Sequence, residues 1–289
     1  MNTIIGQEQT VGNIDKIFNI FKQSKANIRP HFILTGPSGS GKSFIIKTVA
    51  SQYNLPYFEI NAAQLTKEGT SGNSLSKVLA PLKTIGSSPN VCFVDELCKL
   101  FISGNTNDDL AHEVTNGVQN EFLKVLESDK TSVFGDYGKY ENVTAKNTLF
   151  IFAGAFNGEE NITLDRLREL NVKTEFLGRV GLIYNIESLK LEDLYKIVDN
   201  SALLDEYIKL YKDSDKEIVS LKIKQYLKDN YENNTIGARL INSLINQYFI
   251  SGGTLDNMSA KRLSFQKKLQ PLCINQSEDL LPDDFVPDL

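Results

Sequence analysis

The sequence has few of the residues that build disulfide frameworks or zinc modules. Only three cysteines and two histidines occur among 289 residues, and no two cysteines form a CxxC pair. This scatter excludes the closely spaced sulfur and imidazole ligands of a zinc module, and free thiols are typical of a reducing compartment. We therefore predict a cytoplasmic protein without disulfides or structural zinc.

Long apolar segments are also missing. The longest clean apolar run, Leu149–Phe156, is much shorter than the roughly 20 residues that cross a bilayer as a helix. The first ten residues, MNTIIGQEQT, lack a charged stretch followed by an apolar one, so we expect no export signal. The sequence thus predicts a soluble protein without a membrane partner.

The sequence also has no excess of basic residues. The chain has 31 basic and 36 acidic residues, and five of the acidic ones lie in Gln276–Leu289, which contains no base. The rest of the chain is therefore balanced, with 31 residues of each sign. That balance excludes a strongly basic nucleic-acid coat but leaves a local basic patch open. The acidic tail contains two prolines and is predicted to be extended or disordered.

What the chain does have is an alternation of short apolar runs with helical patterns. Strands are predicted at His31–Leu34, Tyr57–Ile60, Val91–Val94 and Leu149–Phe152. An amphipathic helix with Ile14, Ile17, Phe18 and Phe21 on one face precedes them, and helices are predicted at about 42–53, 73–84, 108–127 and 161–170. This alternation predicts an α/β fold with a doubly wound, mostly parallel sheet.

The pattern changes near residue 186. From Ser188 onward the apolar periodicity predicts only helices, at about 190–212, 215–229 and 235–250. We place a domain boundary there, with a large α/β domain in residues 1–186. The acidic tail is predicted to occupy residues 271–289.

A complete phosphate-binding motif follows the first strand. Gly36–Ser43 reads GPSGSGKS, which matches G-x-x-x-x-G-K-[ST] between a strand and a helix. Glycines let the backbone N–H groups converge on phosphate oxygens at a helix N-terminus. Lys42 is predicted to reach the β- and γ-phosphates, and the Ser43 hydroxyl to bind Mg²⁺. A chance glycine-rich turn is the alternative, and the strand–loop–helix context disfavours it.

A pair of acidic residues ends the strand VCFVDEL. The Asp95 carboxylate could hold Mg²⁺ through water, and Glu96 could act as the general base on the attacking water. Acidic residues commonly end strands, so the pair alone is weak evidence. Its position about fifty residues after the phosphate loop makes ATP hydrolysis the favoured interpretation.

With both elements placed, the chain resembles the AAA+ ATPases, and within them the ClpX-type unfoldases and their HslU relatives. The resemblance covers roughly residues 3–250. Besides VCFVDELCKL, it rests on IIGQEQTV, GVQNEFLKVLES, TLFIFAGAF, TEFLGRVGLI and TIGARLINSLI, which occur in the family's order. In that family these segments are the adenine-side segment, the helix after the catalytic acids, the sensor-1 strand, the arginine-finger segment and the sensor-2 helix.

The resemblance implies a set of site residues and a ring. Arg179 takes the position of a finger donated to the neighbouring subunit, which implies a ring homo-oligomer, a hexamer, and Arg239 takes the position of a clamp from a helical lid at 187–270. Surface salt bridges are the alternative for both arginines. The implied catalytic residues are Lys42, Glu96 and Arg179, and the implied Mg²⁺ ligands are Ser43 and Asp95. The implied ATP contacts are Ile5, Gly36, Pro37, Ser38, Gly39, Ser40, Gly41, Lys42, Ser43, Phe44 and Arg239.

Four departures from the family pattern shape the functional prediction. We expect no zinc-binding adaptor domain before the ATPase module, and the stretch between Phe156 and Phe176 is too short for the loop that grips a peptidase. The segment KEGTSGN places Thr70 and Ser71 where the family has an aromatic–hydrophobic pore pair. No polar sensor-1 residue is distinct, and Asn157 is the nearest polar candidate.

A second loop could supply the missing grip. SVFGDYGKYENV, from Ser132 to Val143, is predicted to form a hairpin that carries Phe134, Tyr137, Lys139 and Tyr140. These side chains could hold a peptide or stack on bases, and a hairpin that merely packs against a neighbouring element is the alternative.

Together, these features predict Mg²⁺-dependent ATP hydrolysis in a ring that remodels a protein or protein complex without a peptidase. A nucleic-acid motor or helicase loader is the first alternative, which salt-sensitive binding of single-stranded DNA would favour. A nucleotide-gated scaffold is the second, which very low turnover with ATP-dependent oligomers would favour.

Overall fold

The computed structural model describes residues 4–65, 73–100, 109–135 and 138–255. Besides single 3₁₀ turns, these ranges contain seven strands and eleven helices. The strands are β1 (Phe32–Thr35), β2 (Tyr57–Asn61), β3 (Asn90–Asp95), β4 (Lys130–Phe134), β5 (Tyr140–Thr144), β6 (Thr148–Gly154) and β7 (Leu182–Asn185). The helices are α1 (Glu8–Gln23), α2 (Lys42–Gln52), α3 (Leu75–Val78), α4 (Pro81–Ile85), α5 (Asp109–Glu127), α6 (Leu164–Glu169), α7 (Thr174–Arg179), α8 (Leu191–Asp199), α9 (Ala202–Leu210), α10 (Lys216–Asp229) and α11 (Arg239–Ile250).

Five of the strands form one parallel sheet in the order β2-β3-β6-β1-β7. The four strands predicted from apolar runs are β1, β2, β3 and β6, so these predictions and the α/β fold class are confirmed. The strand β7, a half-buried or exposed edge strand, is not among the predicted strands, although it contains the short apolar run Leu182–Tyr184. It pairs with β1, and its last residue, Asn185, lies opposite Thr35.

Two predicted helices are wrong as continuous segments. The segment 73–84 forms two short helices, because Pro81 has no N–H to donate and starts α4 at its first position instead of lying inside a longer helix. The segment 190–212 is broken after Asp199. The Ser201 hydroxyl accepts a hydrogen bond from the Leu204 N–H at 3.2 Å and thereby caps a new helix, α9.

Helices cover both faces of the sheet. Phe18 and Phe21 of α1 and Ile46 of α2 belong to the buried cluster on one face. On the other face, the ring of Phe152 from β6 packs edge-on against Phe122 of α5 and Phe176 of α7, with centroid distances of 5.3 and 4.9 Å. This aromatic trio fixes α5 and α7 beside one another on the sheet.

The predicted hairpin is confirmed as the antiparallel pair β4–β5, in which Phe134 lies opposite Tyr140. Val133 is fully buried, the Glu141 carboxylate pairs with Lys83 of α4 at 2.9 Å, and the Lys77 ammonium lies 5.7 Å from the centroid of the Phe134 ring. The hairpin therefore packs on α3 and α4. Asp136 and Tyr137, which lie between the two strands in sequence, are outside the described residues.

By compactness the chain divides into two units, Met1–Asn242 and Ser243–Leu289. The described part of the second unit is the last two turns of α11 and the turn after it. The domain boundaries at 186 and 270 stay predictions: the first falls between β7 and α8, and the second lies outside the described residues, as does the acidic tail. In the part of the chain that the structure describes, no helix is both long enough and apolar enough to cross a membrane.

A buried histidine at the start of β1 should make stability depend on pH. His31 is 7% exposed, and its Nδ1 accepts the backbone N–H of Phe150 at 3.0 Å. Burial, aided by the positive charge of Arg29, lowers the pKa of His31 to about 4. Between about pH 6.5 and 4 the unfolded chain therefore binds a proton that the folded chain does not, and the free energy of unfolding falls as pH falls, by up to about 1.4 kcal/mol per pH unit.

His31→Gln should remove this contribution. Urea unfolding from pH 7.5 to 4.5 should show a shallower fall of stability in the variant than in the natural chain. The offset between the two proteins at pH 7.5, where the imidazole is neutral in both states, serves as the internal reference. Parallel curves for the two proteins would contradict the assignment.

Candidate nucleotide site

The phosphate loop lies between β1 and α2, as the motif predicts. Gly36 and Gly39 have φ angles of 145° and 74°, which side chains disfavour. A Cβ at Gly36 would lie 2.5 Å from the Ile186 carbonyl oxygen, and one at Gly39 would lie 1.9 Å from the Ile236 carbonyl oxygen. The loop therefore runs so close to two other backbone segments that only glycine fits at these points.

Lys42 begins α2 and turns back over the loop. Its ammonium donates hydrogen bonds to the carbonyl oxygens of Gly36 and Pro37 at 2.7 and 2.8 Å. Burial lowers the pKa of Lys42 and the charge of Arg239 lowers it further, whereas Asp95 raises it. The predicted phosphate-binding lysine, magnesium-binding acid and lid arginine thus lie within electrostatic reach of one another.

Asp95 and Glu96 lie at the carboxyl end of β3, which β6 separates from the loop strand β1. The Asp95 carboxylate is half-buried and accepts the backbone N–H of Glu96 at 2.8 Å. Glu96 is exposed and has a left-handed backbone with φ of 56°. Such strain in a residue other than glycine is uncommon and clusters at functional sites.

Ser43 and Asp95 offer the oxygen donors that Mg²⁺ prefers. The Ser43 hydroxyl is on the first turn of α2, next to Lys42, and the Asp95 charge acts on that same lysine. The chemistry of this donor set fits the ion.

Arg239 reaches the loop from the first turn of α11. Its Nη1 donates to the Ser38 hydroxyl at 3.2 Å, and the neighbouring Ala238 N–H donates to the Gly39 carbonyl at 3.1 Å. The segment before α11 therefore binds the loop through backbone and side chain.

A cavity of about 330 Å³ opens beside the loop. Its wall includes Pro37–Ser40 of the loop, and Leu189, Leu194 and Tyr231 add apolar surface to that wall. The Tyr231 hydroxyl donates to the Leu189 carbonyl at 3.0 Å and so holds two parts of that wall together. Sequence reasoning missed these three residues because they lie in no motif, and only the folded chain brings them to the loop.

The segment predicted to lie along the adenine packs near this cavity. Gly6, next to Ile5, approaches Leu189, since a Cβ on it would be 3.7 Å from a Leu189 methyl. The Gln7 side chain donates to the Glu187 carbonyl at 2.8 Å and accepts its N–H at 3.2 Å. Ile5 itself is half-buried and is not among the cavity-lining residues, so its adenine contact stays a prediction.

Three other predicted site residues do not line the cavity, and two lie outside the described residues. Arg179 ends α7, and its guanidinium pairs with the Glu127 carboxylate at 2.8 Å. Asn157 is exposed in a turn after β6 with φ of 56°, and Phe44 is 44% exposed on α2. Thr70 and Ser71 lie outside the described residues.

Comparison with known proteins agrees with this geometry. Residues 32–173 match the family described as "ATPase family associated with various cellular activities (AAA)". The ATP-dependent Clp protease ATP-binding subunit ClpX of Borrelia duttonii is 28% identical over 274 residues, which cover 85% of this chain and 60% of that protein. The ClpX of Bacteroides fragilis is 24% identical over 263 residues, which cover 75% of this chain and 63% of that protein. Residues 32–173 therefore form an AAA ATPase domain.

The predicted resemblance to ClpX is thereby confirmed. The chain spans about 60% of the length of the curated relatives it matches. The assignment of individual residues to catalysis, nucleotide contact and Mg²⁺ stays a prediction.

Proposed function

We propose that this protein is an AAA+ ATPase that hydrolyses ATP with Mg²⁺ at sites shared between neighbouring copies in a hexameric ring, and that it remodels a cytoplasmic protein or protein complex without a peptidase. The observation that carries the proposal is the convergence of the phosphate loop, Asp95–Glu96 and Arg239 at one edge of the sheet. Such a cluster of positive and acidic groups around a glycine-rich loop suits phosphoryl transfer.

The reaction follows from the side chains. The triphosphate replaces the Gly36 and Pro37 carbonyls as the partner of the Lys42 ammonium, and the adenine enters the apolar part of the cavity at Leu189 and Tyr231. Glu96 accepts a proton as water attacks the γ-phosphorus, and the bond to the β–γ bridging oxygen breaks to release ADP and phosphate. Bound Mg²⁺, held by Ser43 and Asp95, would neutralise charge on the phosphate oxygens.

Arg239 couples this chemistry to motion. Its Nη1 donates to the Ser38 hydroxyl, and a γ-phosphate offers the guanidinium a charged and stronger acceptor. Because Ala238 also binds the Gly39 carbonyl, transfer of Arg239 to phosphate would shift the segment before α11 on the loop. Cycles of ATP binding and hydrolysis would then move the helical domain, which is the lid in this proposal.

The function is tested by ATP turnover, particle mass and client release in parallel. The probes are a tagged, permanently unfolded polypeptide, a loosely assembled protein complex and a tagged stable domain. We expect ATP-dependent rings that dissociate the loose complex. Salt-sensitive binding of single-stranded DNA that stimulates turnover would support a nucleic-acid motor instead, and ATP-dependent rings with very low turnover would support a scaffold.

Substrate handling gives a separate prediction. Tyr140 is 55% exposed on β5, and its ring packs edge-on against Phe134 at 5.5 Å. If this hairpin grips the client, Tyr140→Ala or Tyr137→Ala should cut remodelling per ATP severalfold while basal hydrolysis is unchanged, because a lost aromatic ring removes about 150–250 Å² of contact area. Tyr211→Ala, a change at another half-exposed tyrosine, is the control.

The complementary variant adds grip to the predicted pore loop. Thr70→Tyr with Ser71→Val should increase pulling on the tagged stable domain. Efficient unfolding of that domain by the natural chain, undiminished by the hairpin substitutions, would show that neither loop has the assigned role.

A further inference from the structure

The finger-bearing helix α7 is attached to α5 by a buried amide. Gln119 of α5 is 1% exposed, and its Nε2 donates to the Asn171 carbonyl at 3.3 Å while its Oε1 accepts the Lys173 N–H at 3.0 Å. Lys173 is at the N-cap position of α7, immediately before the helix begins. One side chain of α5 therefore holds both sides of the turn that leads into α7.

The far end of α7 is attached to the same helix. Glu127 is the last residue of α5, and its carboxylate pairs with the Arg179 guanidinium at 2.8 Å. Gln119 and Glu127 are eight residues apart, which is about 12 Å of helix. Phe122, between them, shares the aromatic contacts of Phe152 with Phe176 of α7. Helix α5 thus binds the residues just before α7 and the last residue of α7, and between these points both helices pack against Phe152 of β6.

We propose that Gln119 and Glu127 are positioning residues that hold Arg179 in the orientation in which it contacts the nucleotide of the neighbouring copy. This inference rests on the proposed function. Gln119 fixes where α7 starts, and Glu127 fixes the direction of the guanidinium at its end.

The exposure of the ion pair suits this role. The side chains of Arg179 and Glu127 are 54% and 47% exposed, so solvent weakens their attraction and the guanidinium stays accessible from outside the subunit. A guanidinium has five N–H donors, and one carboxylate leaves donors for a phosphate. Glu127 can therefore orient the finger without blocking it.

The test introduces Glu127→Gln into only one of the two neighbouring subunits that form a shared site. Subunits with Arg179→Ala keep Glu96 but lack the finger, and subunits with Glu96→Gln donate the finger but cannot hydrolyse. In rings mixed from these two, activity arises where an intact Glu96 meets a donated Arg179. Adding Glu127→Gln to the finger-donating subunit should lower the recovered kcat about tenfold with little change in KM, because a less well-held side chain is misplaced in the transition state.

Adding Glu127→Gln to the Arg179→Ala subunit should change nothing, since that subunit has no finger to position. A substitution that impairs folding would lower the recovered activity in whichever of the two subunits it is placed. Gln119→Met, which keeps the size but removes both hydrogen bonds, should repeat the one-sided loss. Glu169→Gln is the control, because it removes an exposed ion pair of 2.8 Å to Arg166 that does not involve α5.

The outcomes separate this inference from the proposed function. If Glu127→Gln and Gln119→Met in the finger-donating subunit leave the recovered activity unchanged, the positioning role is wrong. The shared site would still stand in that case. An equal loss from both sides would overturn the positioning role too. No recovered activity in rings shown to be mixed would overturn the shared site itself.

Discussion

Glu96→Gln should keep ATP bound and stop its hydrolysis. The amide preserves the size of the side chain on the left-handed backbone of residue 96, but it cannot accept a proton from water. We therefore expect turnover to fall by a factor of about 10²–10⁴. Binding of a fluorescent ATP analogue should stay within about twofold of the natural chain, because the loop and Lys42 are intact. Steady-state phosphate release and equilibrium binding check the two halves of this prediction.

Lys42→Ala should give the opposite pattern, with loss of binding itself. The Lys42 ammonium, which donates hydrogen bonds to two loop carbonyls, is the group that would bind the β- and γ-phosphates. Alanine leaves the negative charge of these phosphates without that partner. Lys47→Ala, an exposed lysine on the same helix, is the matched control and should bind normally. Normal turnover in Glu96→Gln would remove Glu96 as the general base, and normal binding in Lys42→Ala would remove the loop as the phosphate site.

Arg179→Ala should abolish hydrolysis without loss of ATP binding, because the guanidinium would stabilise charge at a neighbour's γ-phosphate rather than hold its own nucleotide. In analogous systems such an arginine contributes a factor of about 10³–10⁵ in rate. Mixing this variant with Glu96→Gln subunits, each inactive alone, should restore activity that passes through a maximum as the ratio is varied.

The control for this mixing experiment is Arg168→Ala. Arg168 is also an exposed arginine at the end of a short helix, where it pairs with Asp165 of that helix. The variant should hydrolyse ATP normally alone and give no maximum on mixing. Absence of recovery at several ratios, in rings whose mixed composition is verified by mass, would speak against a site shared between subunits.

The phosphate loop and the acidic residues at the end of β3 are predicted from local sequence alone. Glycine spacing, the lysine and the flanking apolar strand are short-range features, so a single motif predicted the loop between β1 and α2. The hairpin β4–β5 followed in the same way from alternating residues around glycines. The break at Pro81 has a local cause too: the apolar periodicity of residues 73–84 is helical, but Pro81 has no N–H to donate and therefore begins a new helix.

Edge strand β7 and the cavity wall could not be predicted in this way. The strand β7 is stabilised by pairing with β1, a partner some 150 residues away, and its short apolar run, Leu182–Tyr184, does not specify that partner. Leu189 and Tyr231 reach the loop only because the helices after β7 fold back on it. Nothing in their own neighbourhood distinguishes them from ordinary core residues.

By itself, the sequence determined the α/β class, the phosphate loop, the acidic pair and the resemblance to ClpX-type AAA+ ATPases, because each depends on neighbouring residues or on segments in a fixed order. Only the tertiary structure brought Arg239 to Ser38, Asp95 within reach of Lys42, and Gln119 and Glu127 to the two ends of α7. These are contacts between residues 50 to 200 positions apart, or between helices whose packing depends on the whole core. Their formation depends on how the sheet and its helices pack, which no local pattern specifies.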